Sequence, residues 1–272
     1  SEINLRSGQF CVTPDTPLIT EDGIVNIGDV QDKSVKVWNG NRWSSVTVRK
    51  TREKSELVRV TFSDGSYLDC TPDHRFSVKN RFESEWRTVQ AKDLTGEKHS
   101  LQVQPTVIDR DIGVRVDDAY TVGFAVGDGC VYNGKVLIDL YGDKDIKCPV
   151  SGSRGGRTRK RGCSVDSVRV TSKVDAELVS RLKVGSIRDL HAWDKESVLE
   201  FFAGLADADG SATGTGGVRI YISDETRARD AQLVLTGVGI KSSVNLAQRA
   251  GSVTNKGVRK KDLWYLQITD AR

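Results

Sequence analysis

The sequence predicts two fold classes in one chain, an all-β region over residues 11–104 and an α+β region over residues 105–272. Three observations lead there. The first region alternates short β-branched runs with turn residues. The second carries two apolar segments rich in small residues and ending in an acid and a glycine, TVGFAVGDG at 121–129 and FAGLADADG at 202–210. Around them, helix, strand pair and helix recur, which reads as a duplicated α+β unit.

In the first region, residues 35–38 lead into Asn39-Gly40 and residues 43–48 return. Asn-Gly supplies the positive φ angles that a tight hairpin needs. Residues 57–62 alternate, with Val58, Val60 and Phe62 on one face. Ser63-Asp64-Gly65 then turns the chain into a strand over 67–70. This hairpin delivers Thr71 and His74 at a strand end. In the second region, helices are expected over 118–128, over 171–182 with Thr171 or Ser172 as N-cap, and over 194–209 with Asp194 as N-cap and Val198, Phe202 and Leu205 on one stripe. A fourth runs from Ser223 or Asp224 to Gly237, and strands are expected over 218–222 and 263–268. The Gly-rich basic stretch near 151–162 reads as an insertion in the first copy.

The 272 residues are 37% apolar and 29% charged, a globular balance, and no apolar run approaches a membrane span. No secretion leader opens the chain, and the expected location is the cytoplasm. The five cysteines lack CxxC spacing, so neither a disulfide framework nor a zinc site is indicated. Methionine is absent even at position 1, which points to an origin inside a longer translation product, to processing or to engineering. The +4 net charge lies wholly in the second region: residues 1–100 hold 15 cations and 15 acids, leaving 26 of 41 and 22 of 37 for the rest. Two stretches concentrate it, one with Arg154, Arg157, Arg159, Lys160 and Arg161, the other with Arg249, Lys256, Arg259, Lys260 and Lys261. Clusters of this kind neutralise phosphates and position a nucleic acid rather than read its bases.

Cys11 opens the run CVTPDTPLIT, and 60 positions later (71 minus 11) the chain reads Thr-x-x-His, Thr71 to His74. A cysteine can attack the carbonyl that precedes it and turn the Phe10–Cys11 amide into a thioester. His74 would protonate the departing nitrogen, and Thr71 with nearby N–H groups would hold the oxyanion. Cys70 reads as packing.

These two stretches resemble splicing blocks of an intein, CVTPDTPLIT the first block and SDGSYLDCTPDHRFSV the block with the family's TxxH. The resemblance covers residues 11–99 and implies the all-β, horseshoe-like Hint fold shared with hedgehog autoprocessing domains. It makes Cys11 the first splicing nucleophile, assisted by Thr71 and His74, with Asp73 in a supporting role. Residues 1–10, SEINLRSGQF, would be host sequence and resemble a segment of a ribonucleotide reductase large subunit. An intein ends in His-Asn, whereas this chain ends LWYLQITDAR. The expectation is therefore the N-terminal part of a split or truncated intein, completed by a complementary C-terminal fragment.

In the second region, Gly204 and Ala208 lie on one helical face, so that another helix can approach closely. Two such helices would bring Asp128 and Asp209, 81 residues apart (209 minus 128), side by side. Like charges at that range call for a cation between them. The two motifs resemble those of LAGLIDADG homing endonucleases, the first degenerate, with Val126 where the second has Asp207. The resemblance implies two pseudo-symmetric αββαββα repeats forming a saddle over double-stranded DNA. It implies Mg²⁺ or another divalent cation held by Asp128 and Asp209, with Lys241 and Lys261 as supporting cations. Two alternatives stand beside an active nuclease: a DNA-binding remnant that does not cut, and a hedgehog-like processing domain.

Overall fold

The computed structural model describes residues 11–51, 53–80, 83–96, 99–101, 113–159, 164–214, 216–254 and 257–269. The chain divides into two compact units, residues 1–106 and 107–272. No helix among the described residues is long and apolar enough to cross a membrane.

The described residues of the first unit form strands and two 3₁₀ turns. Strands β1 (Pro17–Thr20), β2 (Gly23–Asn26), β3 (Ser34–Trp38) and β4 (Trp43–Thr47) form one antiparallel sheet in the order β2-β1-β3-β4. Strands β5 (Val58–Thr61) and β6 (Tyr67–Cys70) form a hairpin, and β7 (Arg75–Lys79) lies between β8 (Arg87–Gln90) and β9 (Ser100–Leu101). Burial along β5 alternates as its sequence does, with Val58 and Val60 half-buried and Arg59 exposed. The β3–β4 connection turns at Asn39-Gly40 as expected, but not through a pair of positive φ angles. Trp38 pairs with Trp43 across a four-residue loop in which only Gly40 has a positive φ (94°). Asn39 acts through its side chain instead, Oδ1 accepting from the N–H groups of Asn41 (3.0 Å) and Arg42 (2.9 Å). This is the local competition that makes Asn a turn residue.

The second unit repeats one order, helix, two strands, helix, two strands; the expected closing helix follows only in the first copy among the described residues. The first copy runs α1 (Ala119–Asp128), β10 (Gly129–Tyr132), β11 (Lys135–Tyr141), α2 (Lys144–Lys147), β12 (Ser153–Thr158), β13 (Ser167–Ser172) and α3 (Ala176–Val184). The second runs α4 (Lys195–Asp209), β14 (Gly210–Ala212), β15 (Val218–Ile222), α5 (Glu225–Gly237) and β16 (Ser242–Gln248). A small hairpin follows, β17 (Val253–Thr254) with β18 (Gly257–Val258), and then β19 (Leu263–Ile268). The sheets are β10-β11-β13-β12 and β14-β15-β19-β16, antiparallel at every pairing and identical in connection. Register follows: Gly129 faces Ile138, which faces Val170; Gly210 faces Ile220, which faces Leu266. Ile138, Val170, Ile220 and Leu266 are all fully buried.

Two expectations are corrected. Residues 171–182 are not one helix: β13 continues through Ser172, and α3 begins only at Ala176, capped by the Asp175 side chain, which accepts from Glu177 N at 2.8 Å. Val168 and Val170 are buried in the sheet, and that burial outweighs local helix signals. The basic stretch at 151–162 is not an insertion: residues 153–158 are β12, the third strand of the first repeat and the edge of its sheet. Two caps follow the sequence: Asp194 caps α4 (accepting from Ser197 N at 2.7 Å) and Asp224 caps α5 (from Arg227 N at 2.8 Å). Asp118, expected as the first residue of its helix, lies one position before α1 and caps it. Asn133 and Gly134, with φ of 48° and 70°, make the two-residue turn between β10 and β11.

Candidate functional site

The first candidate site lies at Cys11. An isolated bridge pairs Val12 with Cys70, and Thr13 N donates to Asp69 O at 3.1 Å, so the segment runs along the end of β6. Thr71, fully buried, holds the backbone of Cys11 from both sides. Its N–H donates to Cys11 O at 3.0 Å, and its Oγ1 accepts from Cys11 N at 3.4 Å. That nitrogen is the one a leaving amine would carry if the bond before Cys11 were cut. The Cys11 Sγ lies 2.9 Å from Thr51 Oγ1, a partner with no signal in the sequence. His74 N donates to Thr71 O at 2.9 Å, and the ring lies 5.1 Å from that of Phe76. Burial pushes the imidazole below its ordinary value, opposed by the charge of the adjacent Asp73. Cys70 is fully buried and its thiol is pushed up by that burial, with Asp69 and Asp73 adding.

The second candidate site lies where α1 and α4 end. A Cβ placed on Gly123 would sit 1.9 Å from Phe201 O, and one on Gly204 would sit 2.0 Å from Tyr120 O. Only glycine admits that approach, because carbon and carbonyl oxygen otherwise meet at about 3.3 Å. Val198, Phe201, Phe202 and Leu205 are buried along α4, and Val122, Phe124 and Ala125 along α1. The contact carries both acids to one place: a Cβ on Gly127 would be 3.0 Å from Asp209 Oδ2 and 2.7 Å from Ala208 Cβ. The Asp209 carboxyl is raised, first by burial and then by the charge of Asp128, while Lys183 and Lys144 oppose the shift.

Both of those lysines come from the first repeat. Lys144 Nζ is 2.9 Å from Asp128 Oδ2 and 2.9 Å from Ala208 O. Lys183, in the last turn of α3, caps the end of α1, donating to Val126 O (2.9 Å), Gly127 O (3.0 Å) and Gly129 O (2.8 Å). These carbonyls are ones a helix end leaves without partners of its own. Burial pulls the Lys183 ammonium down, and Asp209 and Asp128 oppose that. Beside them, Tyr120 Oη donates to Asp207 Oδ2 at 2.7 Å, and burial followed by that hydrogen bond raises the phenol. Neither Lys144 nor Lys183 stands out in the sequence: each is an ordinary helix-end cation until the fold places it.

The remaining sequence candidates lie elsewhere. Lys241 is exposed just before β16, and Lys261 is exposed just before β19. Arg154 and Arg157 are exposed on β12 and Arg159 follows it. The fold supplies the acids that this stretch lacks in sequence. Arg157 pairs with Asp145, Arg159 Nε lies 2.7 Å from Asp166 Oδ1, and on neighbouring β13 Arg169 bonds Asp139. In the other patch, Arg249 and Lys260 are exposed, and Arg259 Nε donates to Gln248 Oε1 at 2.9 Å. Phe10, Lys160, Arg161 and Lys256 lie outside the described residues.

Comparison with known proteins bears on the second unit first. Residues 196–272 match the family model of the LAGLIDADG-like domain. The LAGLIDADG-like match thus spans nearly all of the second repeat, from the first turn of α4 onward, and the first repeat shares its sheet order. Over 292 aligned positions the chain is 30% identical to the ribonucleoside-diphosphate reductase large subunit of Invertebrate iridescent virus 6, covering 99% of this chain and 30% of that protein. It is 26% identical to the ribonucleoside-diphosphate reductase NrdEB subunit alpha of Bacillus subtilis, over 52% of this chain and 14% of that protein. The chain therefore spans less than a third of either relative. Among solved structures, I-DmoI in complex with DNA and Mn is similar over 56% of this chain and 88% of that one, at 17% identity and a TM-score of 0.37.

Proposed function

We propose that the second unit is a divalent-metal-dependent DNA endonuclease of the LAGLIDADG homing type, with Asp128 and Asp209 as metal ligands. The observation that carries this is the glycine-mediated α1–α4 contact, which sets the two terminal acids together at one helix-pair end. The donors there are carboxylates and the Ala208 carbonyl, all oxygen, as Mg²⁺ and other hard cations prefer. The fit is supported by Lys144, whose ammonium already bridges two of these oxygens as a cation would. A bound divalent ion supplies charge neutralisation at the phosphate and activation of water. The chain's own part is to hold the acids through Gly123 and Gly204, to fix the α1 terminus through Lys183, and to offer phosphate contacts from Arg154, Arg157, Arg159, Arg249, Arg259 and Lys260. Lys160, Arg161 and Lys256 belong to the same two basic stretches. Lys241 and Lys261 are supporting cations in this reading.

The test is cleavage of supercoiled plasmid carrying an uninterrupted ribonucleotide reductase gene. Mg²⁺-dependent linearisation that is lost in both Asp128→Ala and Asp209→Ala supports the assignment. Nicking that survives both substitutions refutes it.

A second activity is proposed for the first unit, on the observation that Thr71 grips both backbone polar groups of Cys11 while Thr51 contacts its sulfur. In this reading residues 11–104 are the N-terminal part of an intein, with the Hint fold, and the host is a ribonucleotide reductase large subunit. An alignment covering nearly the whole chain within such a protein supports that host. Thr71 Oγ1 would steady the departing nitrogen of the Phe10–Cys11 bond. His74, whose imidazole burial pushes below its ordinary value, would take the thiol proton and return it to that nitrogen, Asp73 favouring the protonated ring. Completion of splicing would fall to a complementary C-terminal fragment. Thiol-dependent loss of residues 1–10, read by mass spectrometry and abolished by Cys11→Ala, is the outcome expected. Equal loss in Cys11→Ala rules the assignment out.

A further inference from the structure

The two halves of the acidic centre match in backbone and differ in charge. Asp128 ends α1 as Asp209 ends α4, and each is followed by a glycine that opens a strand. The helix after the first strand pair begins with Lys144, directly after Asp143; its counterpart begins with Glu225, directly after Asp224. Lys144 turns inward, with Nζ 2.9 Å from Asp128 Oδ2, 2.9 Å from Ala208 O and 5.4 Å from the Phe124 ring centroid. Glu225 is spent on its own helix, where Oε1 pairs with Arg229 Nη2 at 2.7 Å. The cation is thus contributed from one side.

We propose that the Lys144 ammonium is the resting occupant of the oxygen site formed by Asp128 and the Ala208 carbonyl. A divalent cation then enters this half only by displacing it, and the two halves load metal unequally. The inference rests on the metal-centred reading above. Its physical ground is that both cations need the same oxygens. A divalent ion requires oxygens at about 2.0–2.6 Å, and a lysine nitrogen sharing them would stand within a few ångströms of it. The side chains of Lys144 and Asp128 are 32% and 36% exposed, so the ammonium is open to exchange with solvent. It sits on a flexible stem two residues after Gly142, whose φ is 64°. Asp209 lies on the other side against Gly127; the charge of Lys183 acts on it, but that ammonium donates its hydrogen bonds to the α1 carbonyls, and the second repeat has Glu225 in the place of Lys144.

The experiment is a Mn²⁺ titration of the full chain without DNA, free Mn²⁺ being followed by electron paramagnetic resonance. Wild type is compared with Lys144→Met, Lys144→Gln and Lys144→Arg, each checked for an unchanged melting curve. Removing a fixed positive charge a few ångströms from a divalent ion should tighten the weaker class of binding by at least about ten-fold, even at the permittivity of water. Both neutral variants should show this gain, Lys144→Arg should not, and Asp128→Asn added to Lys144→Met should abolish it. If wild type binds Mn²⁺ and both neutral variants bind it equally or more weakly, the inference is overturned while the metal-centred reading stands. If neither wild type nor the neutral variants bind, both readings fall.

Discussion

Replacing Gly204 by alanine tests whether the helix contact or the acids' own chemistry sets the site. The new Cβ would lie 2.0 Å from Tyr120 O and 2.8 Å from Phe124 N, both backbone atoms of α1 that cannot rotate away. Relief to an ordinary separation of about 3.3 Å requires α1 and α4 to part by on the order of 1 Å. Overpacking of this kind costs about 1–3 kcal/mol, offset by up to about 1 kcal/mol because alanine is the better helix former. The net loss should be about 1–2 kcal/mol, which in a unit of this size lowers Tm by roughly 2–8 °C. Scanning calorimetry of the metal-free chain measures it. Separation at the glycine also draws Ala208 O and Asp209 away from Asp128, so Mn²⁺ affinity should fall along with Tm. A Gly204→Ala chain that melts at or above wild type refutes the argument. It would mean that the close approach is not obligatory and that the acids meet for another reason.

Two further predictions concern single side chains. The Asp209 carboxyl is raised by burial and by Asp128, so the folded chain binds this proton more tightly than the unfolded chain. Its contribution without metal is therefore most favourable at acid pH and is lost as pH rises from about 3.9 through the folded value. Asp209→Asn should flatten that slope and raise the metal-free Tm near neutral pH; an unchanged slope would show that the folded chain holds the Asp209 proton no more tightly than the unfolded chain. Thr51→Val should slow thiol-dependent cleavage before Cys11 by about ten-fold, the value of one hydrogen bond to a charged group at about 1.5 kcal/mol. Wild-type rates in that variant would remove Thr51 from the site.

What was legible in the sequence is what local rules control. Caps by Asp194 and Asp224, the strand limits 218–222 and 263–268, and the turn through Gly65 follow from side chains that act within a few residues. The errors arose where distant contacts decide. Residues 171–175 have helix-start chemistry, yet Val136 and Leu137 of β11 pair with Ser172 and Thr171 and keep the chain extended. The stretch at 153–158 has two glycines and no apolar face, as a loop would, and is held as a strand by pairing to β13 on one side only. Lys144 and Lys183 were beyond sequence reasoning for the same reason: their partners lie 54 to 64 residues away, except Asp128 at 16.

The duplicated unit separates what the backbone must repeat from what the side chains are free to change. Sheet order, hydrogen-bond register and the glycine after each acid recur because each sheet needs its helix at one height, and a residue larger than glycine at 129 or 210 would meet the carbonyl of Ala125 or Ala206. Charge need not recur. The first copy supplies two ammonium groups, Lys144 on Asp128 and Lys183 under the α1 terminus, where its charge acts on Asp209 as well; the second places Glu225 where Lys144 would be. Asp128 is thereby paired before any metal arrives, while Asp209 bears the cost of burial and of its neighbour's charge. A centre arranged this way has its strongest demand for a divalent cation at Asp209. The first ion to bind should accordingly settle on that side, with Lys144 still holding the other.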